Sequence, residues 1–316
     1  MSFLYALEGL RTPFWDAVMS LITKAGEETL VIVLALLFLW CIDKYEGYYL
    51  LTVGFFGLLA NQFLKLLCRI PRPWVKDPSF TIVESAREAA TGYSFPSGHT
   101  QNIVGCLGAV GRWHKKLWLR LALGGAALLV AFSRMYLGVH TPLDVFVSIV
   151  LGLFFVFVLY PLVKESEKRP RVLFYILGVL LLFAFSFVLY TEFHVFSPDV
   201  DAANLASGAK NGYRILGSLL GFLLIYVLDV YVYRYDTKAP LFAQTLKLLF
   251  GFVTVLLIKI FLKAPLLALT GGHPLADGIR YFLIFAVAGG VGPLLFPYFT
   301  RFSNFLSEKI KARRKA

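Results

Sequence analysis

The run Ser133-Arg134-Met135-Tyr136-Leu137-Gly138-Val139-His140-Thr141-Pro142-Leu143-Asp144 holds an arginine, a histidine and an aspartate, the types needed to bind an anion and move a proton. The residues around them are apolar enough to lie in a membrane, where ionisable groups are costly and mark functional sites by default. Pro142 suits the first turn of a helix. A helix starting there would put His140 just ahead of it and Asp144 within reach of the imidazole. A carboxylate on one ring nitrogen fixes the tautomer and leaves the other nitrogen to attack or to carry a proton. Arg134 offers a planar fork of donors matched to phosphate oxygens. Taken singly, such a histidine also reads as a cap or a packed side chain, and such an arginine as a snorkelling anchor.

Two further clusters narrow the choice. Lys65 is followed seven residues later by Arg72, ahead of Pro73, and Pro96-Ser97-Gly98-His99 stands at the start of an apolar run. At a helix start the first backbone N–H groups lack partners, and glycine lets an anion approach them closely, which favours phosphate. If the three clusters share one membrane face, the array is self-repulsive without a polyanion to bind. Phosphoryl transfer fits it. Lys65, Arg72 and Arg134, with the Ser97 and Gly98 amides, would neutralise charge on the equatorial oxygens. One histidine would attack phosphorus and the other protonate the leaving oxygen, and the spacing by itself leaves open which does which.

Lys65-(six residues)-Arg72-Pro73, Pro96-Ser97-Gly98-His99 and Ser133-Arg134-(five residues)-His140-(three residues)-Asp144 together resemble the three signature motifs of the type 2 phosphatidic acid phosphatase family. That family includes lipid phosphate phosphatases, undecaprenyl pyrophosphate and phosphatidylglycerophosphate phosphatases, sphingosine phosphate phosphatases and glucose-6-phosphatase. The resemblance implies that His140 is the nucleophile that forms a phosphohistidine, Asp144 its orienting partner and His99 the acid for the leaving group. It also implies that Lys65, Arg72, Ser97, Gly98 and Arg134 bind phosphate, that no metal or other cofactor is needed, and that a six-helix core covers about residues 1–165.

The elements that must position these residues are membrane helices. The 316-residue chain is 58% hydrophobic and 16% charged, with mean hydropathy +0.72; soluble domains are less apolar and more charged. The expected class is therefore an all-α, polytopic membrane protein. The net charge of +12 is assigned to cytoplasmic loops and not to nucleic-acid binding. Cys41, Cys68 and Cys106 are scattered and suggest neither a disulfide framework nor a zinc site. The N-terminal Met1-Ser2-Phe3-Leu4-Tyr5 lacks the pattern of a cleaved signal peptide.

About nine spans are expected, near 29–42, 47–67, 97–112, 117–137, 142–162, 172–190, 213–233, 242–263 and 278–299. An interfacial amphipathic helix is expected over 2–28 and a short one over 78–90. Lys and Arg concentrate in 43–47, 111–120, 163–171, 234–238 and 301–316, which predicts the N-terminus outside, the C-terminus inside and the three clusters at the extracytoplasmic face.

Residues 166–316 carry no signature and are expected to be an extension of extra spans. Within them Asp229 and Lys247 are expected to pair. Gly217-Ser218-Leu219-Leu220-Gly221 has the spacing for close helix packing. The outer loop 194–211, with Asp199 and Asp201, is a candidate lid or substrate contact. The function expected is hydrolysis of a lipid phosphate monoester or pyrophosphate, whose headgroup reaches the site while its tail stays in hydrocarbon. A phosphotransferase with the same intermediate and a lipid or ion transporter are the rivals. The sequence marks neither an oligomeric state nor which lipid phosphate is cleaved.

Overall fold

Backbone polar groups in hydrocarbon must be satisfied within the chain, and a computed structural model, which describes residues 1–198 and 200–315, meets this with helices and no strand among the described residues. Among the described residues, seven helical segments are long and apolar enough to cross a membrane. An eighth is a bent pair, Pro13–Gly26 with Leu30–Ile42, whose halves meet at 47°. Helix α6 (Gly98–His114), expected as a span, has 17 residues and is not among them, so seven or eight candidate spans stand against the nine expected.

The first half comprises α1 (Ser2–Glu8), α2 (Pro13–Thr23), α3 (Glu28–Leu37), α4 (Lys44–Cys68), the single turn α5 (Pro73–Lys76), α6, α7 (Leu117–Tyr136) and α8 (Pro142–Ser166). Local chemistry sets the starts that matter. The Ser97 side chain caps α6 by accepting from Thr100 N. Pro142 occupies the first turn of α8, where Thr141 and Asp144 form a reciprocal capping box. Between α7 and α8 the chain turns through Gly138 at φ +80°, a conformation that L side chains rarely adopt. A Cβ there would also press on Arg11 and Phe80.

The second half comprises α9 (Arg171–Phe193), α10 (Ala202–Leu228), α11 (Leu241–Phe261), α12 (Lys263–Leu269), α13 (Leu275–Phe285) and α14 (Gly292–Lys315). It packs directly on the first half through α4, which touches α6 and α8 on one side and α9 and α10 on the other. Phe55 of α4 stacks on Phe222 of α10. Near the other end of α4, Gly208 of α10 lies against Leu66. Helices α10 and α13 approach so closely that a Cβ on Gly217 would fall inside the van der Waals shell of the Gly278 carbonyl oxygen, which is the close packing predicted from the small-residue spacing.

Several expectations are corrected. No helix covers 78–90; that stretch holds one turn of 3-10 helix, Glu84–Ala86. The interfacial helix over 2–28 is two short helices with a break at Gly9–Thr12, where Arg11 turns back to donate to the Tyr136 carbonyl at 3.0 Å. Helix α10 begins at Ala202 and not near 213, because the Asp201 carboxylate caps it by accepting from Asn204 N at 2.7 Å, so the outer loop is short. Asp199 lies outside the described residues. Asp229 does not pair with Lys247. It takes Lys44 at 2.9 Å and the Tyr48 hydroxyl at 2.8 Å, tying α10 to the start of α4. Lys247 instead donates to the carbonyls of Trp40 and Thr237, each at 3.3 Å.

Candidate active site

Lys65, Arg72, Gly98, His99, Arg134 and His140 line one cavity of about 410 Å³. Four elements bring five of these residues, and Arg72 stands just before α5. The last turn of α4 brings Lys65, the capped start of α6 brings Gly98 and His99, the last turn of α7 brings Arg134, and the Gly138 turn brings His140. Asp144 and Ser97 stand behind the wall. The Ser97 amide donates to the Asp144 carbonyl at 3.3 Å and its hydroxyl accepts from the Thr100 hydroxyl at 3.0 Å. Ser97 therefore joins the start of α6 to the start of α8 and does not face the cavity.

His140 is 2% and Asp144 1% exposed, so each imidazole nitrogen depends on a protein neighbour. Arg72 Nη1 lies 3.0 Å from Nε2, and Asp144 Oδ2 lies 3.5 Å from Nδ1. A guanidinium can only donate, so Nε2 must be the acceptor and the ring proton sits on Nδ1, facing the carboxylate. The Asp144 oxygen is itself fixed by the Ser94 hydroxyl at 2.6 Å and the Thr141 amide at 2.8 Å. Burial, followed by the charges of Arg72, Arg134 and Lys65, holds the His140 pKa well below the usual imidazole value. The neutral ring, with its lone pair on Nε2, is thus the form present near neutral pH.

The cations are held by dipoles. Arg72 donates to the carbonyls of Gly92 at 3.1 Å, Thr91 at 2.8 Å and Val139 at 3.0 Å, and so clamps the loop after α5 to the turn before His140. Lys65 donates to the Tyr93 carbonyl. Arg134, 1% exposed, donates to the Thr23 hydroxyl at 2.7 Å, while its Nε and the Nε2 of His99 are buried without a hydrogen-bond partner. A buried donor without a partner is costly, and the Arg134 Nε–H on the wall of a cation-lined cavity suits an anion with several acceptor oxygens.

Sequence reasoning missed Ser94, Thr23, Asn61 and the carbonyls of 91–93. Asn61 Nδ2 donates to the Pro96 carbonyl at 3.2 Å, pinning the loop that leads into α6. Nothing in the spacing of Ser94 ties it to Asp144, fifty positions away.

Comparison with known proteins shows the family. Residues 46–168 match the PAP2 superfamily, and residues 213–302 match the PAP2 superfamily phosphatase transmembrane extension. Undecaprenyl-diphosphatase BcrC of Bacillus subtilis (strain 168) is 30% identical over 149 residues, which are 46% of this chain and 73% of that protein. The chain belongs to the PAP2 superfamily. All eight residues assigned above to catalysis or phosphate binding fall inside the first PAP2 match. Phosphatidylglycerophosphatase B of B. subtilis is 29% identical over 176 residues, covering 51% of this chain and 80% of that protein. Sphingosine-1-phosphate phosphatase 1 of Rattus norvegicus is 29% identical over 180 residues, 54% of this chain, and the match spans 41% of the rat protein's length. No solved structure matches the chain.

Proposed function

We propose that this PAP2 superfamily protein is an integral membrane phosphatase that removes the terminal phosphate of a lipid through a phosphohistidine at His140. The observation that carries the reading is His140 set between a donor-only partner, Arg72, and a carboxylate, Asp144, on the wall of a cation-lined cavity. In the first step Arg72 transfers its donors from Nε2 to the phosphate oxygens. Nε2 then attacks phosphorus, and the bond to the leaving oxygen breaks as His99 gives that oxygen its proton. In the second step His99 takes a proton from water, the resulting hydroxide attacks phosphorus, the P–N bond breaks and inorganic phosphate leaves. Lys65, Arg72 and Arg134, with the backbone at Gly98 at the start of α6, neutralise the equatorial oxygens in both transition states. Asp144 steadies the Nδ1 proton as the ring becomes positive.

A lipid is favoured because the same cavity continues between Val31 of α3, Leu51, Phe55 and Leu58 of α4 and Phe285 of α13, an apolar lining suited to a tail. The distribution of Lys and Arg supports an extracytoplasmic site and a cytoplasmic C-terminus. In this reading residues 1–165 carry the chemistry and residues 166–316 form the extension. Its test is phosphate release in detergent from phosphatidic acid, phosphatidylglycerophosphate, undecaprenyl pyrophosphate and sphingosine phosphate, with glucose 6-phosphate as a soluble control. At least one lipid is expected to be cleaved by the native chain and none by His140→Ala. Turnover that survives the substitution contradicts the mechanism.

A further inference from the structure

Helix α10 belongs to the second half of the chain, yet it turns a polar edge to the cavity. Asn204, Ser207, Asn211, Arg214 and Ser218 all line it, and their spacing of three or four residues puts them on one face of the helix. The rest of α10 contains Leu216, Leu219, Leu220, Phe222 and Leu223, as an apolar span should. A wall that only held a lipid tail would be apolar throughout, and polar groups within a membrane face a function or a wet cavity.

The stripe begins at the phosphate end. A Cβ on Gly92 would lie 3.7 Å from Ser207 Oγ and 4.0 Å from Lys65 Cδ, so Ser207 borders the loop that Arg72 and Lys65 hold. It then runs to a second group of cations. Arg214 is two helical turns from Ser207, about 10 Å along the axis, and Lys259 of α11 lines the same cavity. The nearby Asp277 does not cancel this charge. It is shared by Arg280, by Arg214 at 3.4 Å and by Lys210 at 3.8 Å. The carboxylates on the cavity wall are Glu27 and Glu28; Glu27 acts on Arg134 and Glu28 lies beside Tyr281. The lining as a whole has Lys65, Arg72, Arg134, Arg214 and Lys259 against those two acids.

We infer that Arg214 and Lys259 form a second anion subsite, contributed by the extension, and that the substrate is a lipid phosphate monoester whose leaving group carries hydroxyls and a further anion. The inference rests on the phosphatase reading above. Ser207 and Asn211 lie between the two cation groups and offer donors and acceptors to the hydroxylated linker. Two directly bonded phosphates would both remain among Lys65, Arg72 and Arg134 and leave Arg214 uncontacted. A monoester and a diester separated by a glycerol would reach both groups.

The test measures kcat/KM for phosphate release by the full chain in detergent from phosphatidylglycerophosphate and from phosphatidic acid with the same acyl chains. The native chain is expected to favour the doubly anionic lipid. Arg214→Gln is expected to lower the ratio of the two values about tenfold, mainly through KM, as loss of a charge-assisted hydrogen bond implies, and Arg214→Lys to restore most of it. An unchanged ratio, or an equal loss on both lipids, overturns the subsite; equal loss is what a purely structural pairing with Asp277 would give. A native chain that cleaves phosphatidic acid while Arg214→Gln leaves the ratio alone overturns only this inference. A native chain that cleaves another of the four lipids but neither of these two also overturns only this inference, whereas one that cleaves none of the four, and so does not differ from His140→Ala, overturns the phosphatase reading and the subsite with it.

Discussion

A guanidinium donates and never accepts, and that asymmetry decides which nitrogen of His140 keeps its lone pair. With Arg72 on Nε2, the proton is forced to Nδ1 and toward Asp144, so one contact orients both the lone pair and the proton. The 3.5 Å gap between Nδ1 and Asp144 is wide for a hydrogen bond, and Ser94 is what holds the carboxylate there. Ser94→Ala is expected to cut kcat about tenfold with a smaller change in KM, because a hydrogen bond to a charged group is worth about 1.5–3 kcal/mol; steady-state phosphate release reads it. An unchanged kcat would mean that the Thr141 amide suffices to place the carboxylate. The predicted cavity residues were legible because cations and histidines are conspicuous in an apolar chain and their spacing survives without coordinates. Ser94, Thr23 and Asn61 were not, since a hydroxyl or amide that binds a partner many positions away has no local signature. The Ser97 amide was expected on the phosphate, and the structure gives it to the Asp144 carbonyl instead.

At the scale of elements, the helices that carry the site are positioned by starts and stops that the sequence announces: a serine cap on α6, a capping box on α8 and a glycine of positive φ between α7 and α8. The long apolar runs could be read for the same reason, because hydrocarbon imposes length and composition together. Where polarity alternated with apolar residues the reading failed. The 78–90 stretch folds as loop because Pro78 and the hydrogen bonds of Asp77 to Ser79 and Tyr5 terminate α5 instead of starting a new helix. Asp229 and Lys247 looked matched in depth, but Lys44 at the start of α4 is the cation that reaches Asp229, and contact between distant spans is not written in hydropathy. The α10–α13 contact was written, in Gly217 and Gly221. Gly217→Val is expected to lower the melting temperature in detergent, with a loss of about 1–3 kcal/mol or more from overpacking against backbone. A melting temperature equal to that of the native chain would show that the two helices separate without cost.

At the scale of the whole molecule, the two halves meet on α4 and both line one cavity, as the proposed function requires. Basic segments at 111–120, 163–171 and 301–316 predict the orientation. In a background without the native cysteines, Asp77→Cys is expected to react with a membrane-impermeant maleimide in intact cells and Lys168→Cys only after lysis; the reverse pattern would invert the protein in its membrane. The central claim concerns one covalent bond. The measurement that tests it most directly is turnover of a lipid bearing a labelled terminal phosphate, stopped in alkali, where phosphohistidine survives, followed by mass spectrometry of the peptides. The expected result is a phosphoryl group on His140 in the native chain and no label or phosphate release in His140→Ala. Label on His99, or phosphate release with no labelled histidine, would contradict it.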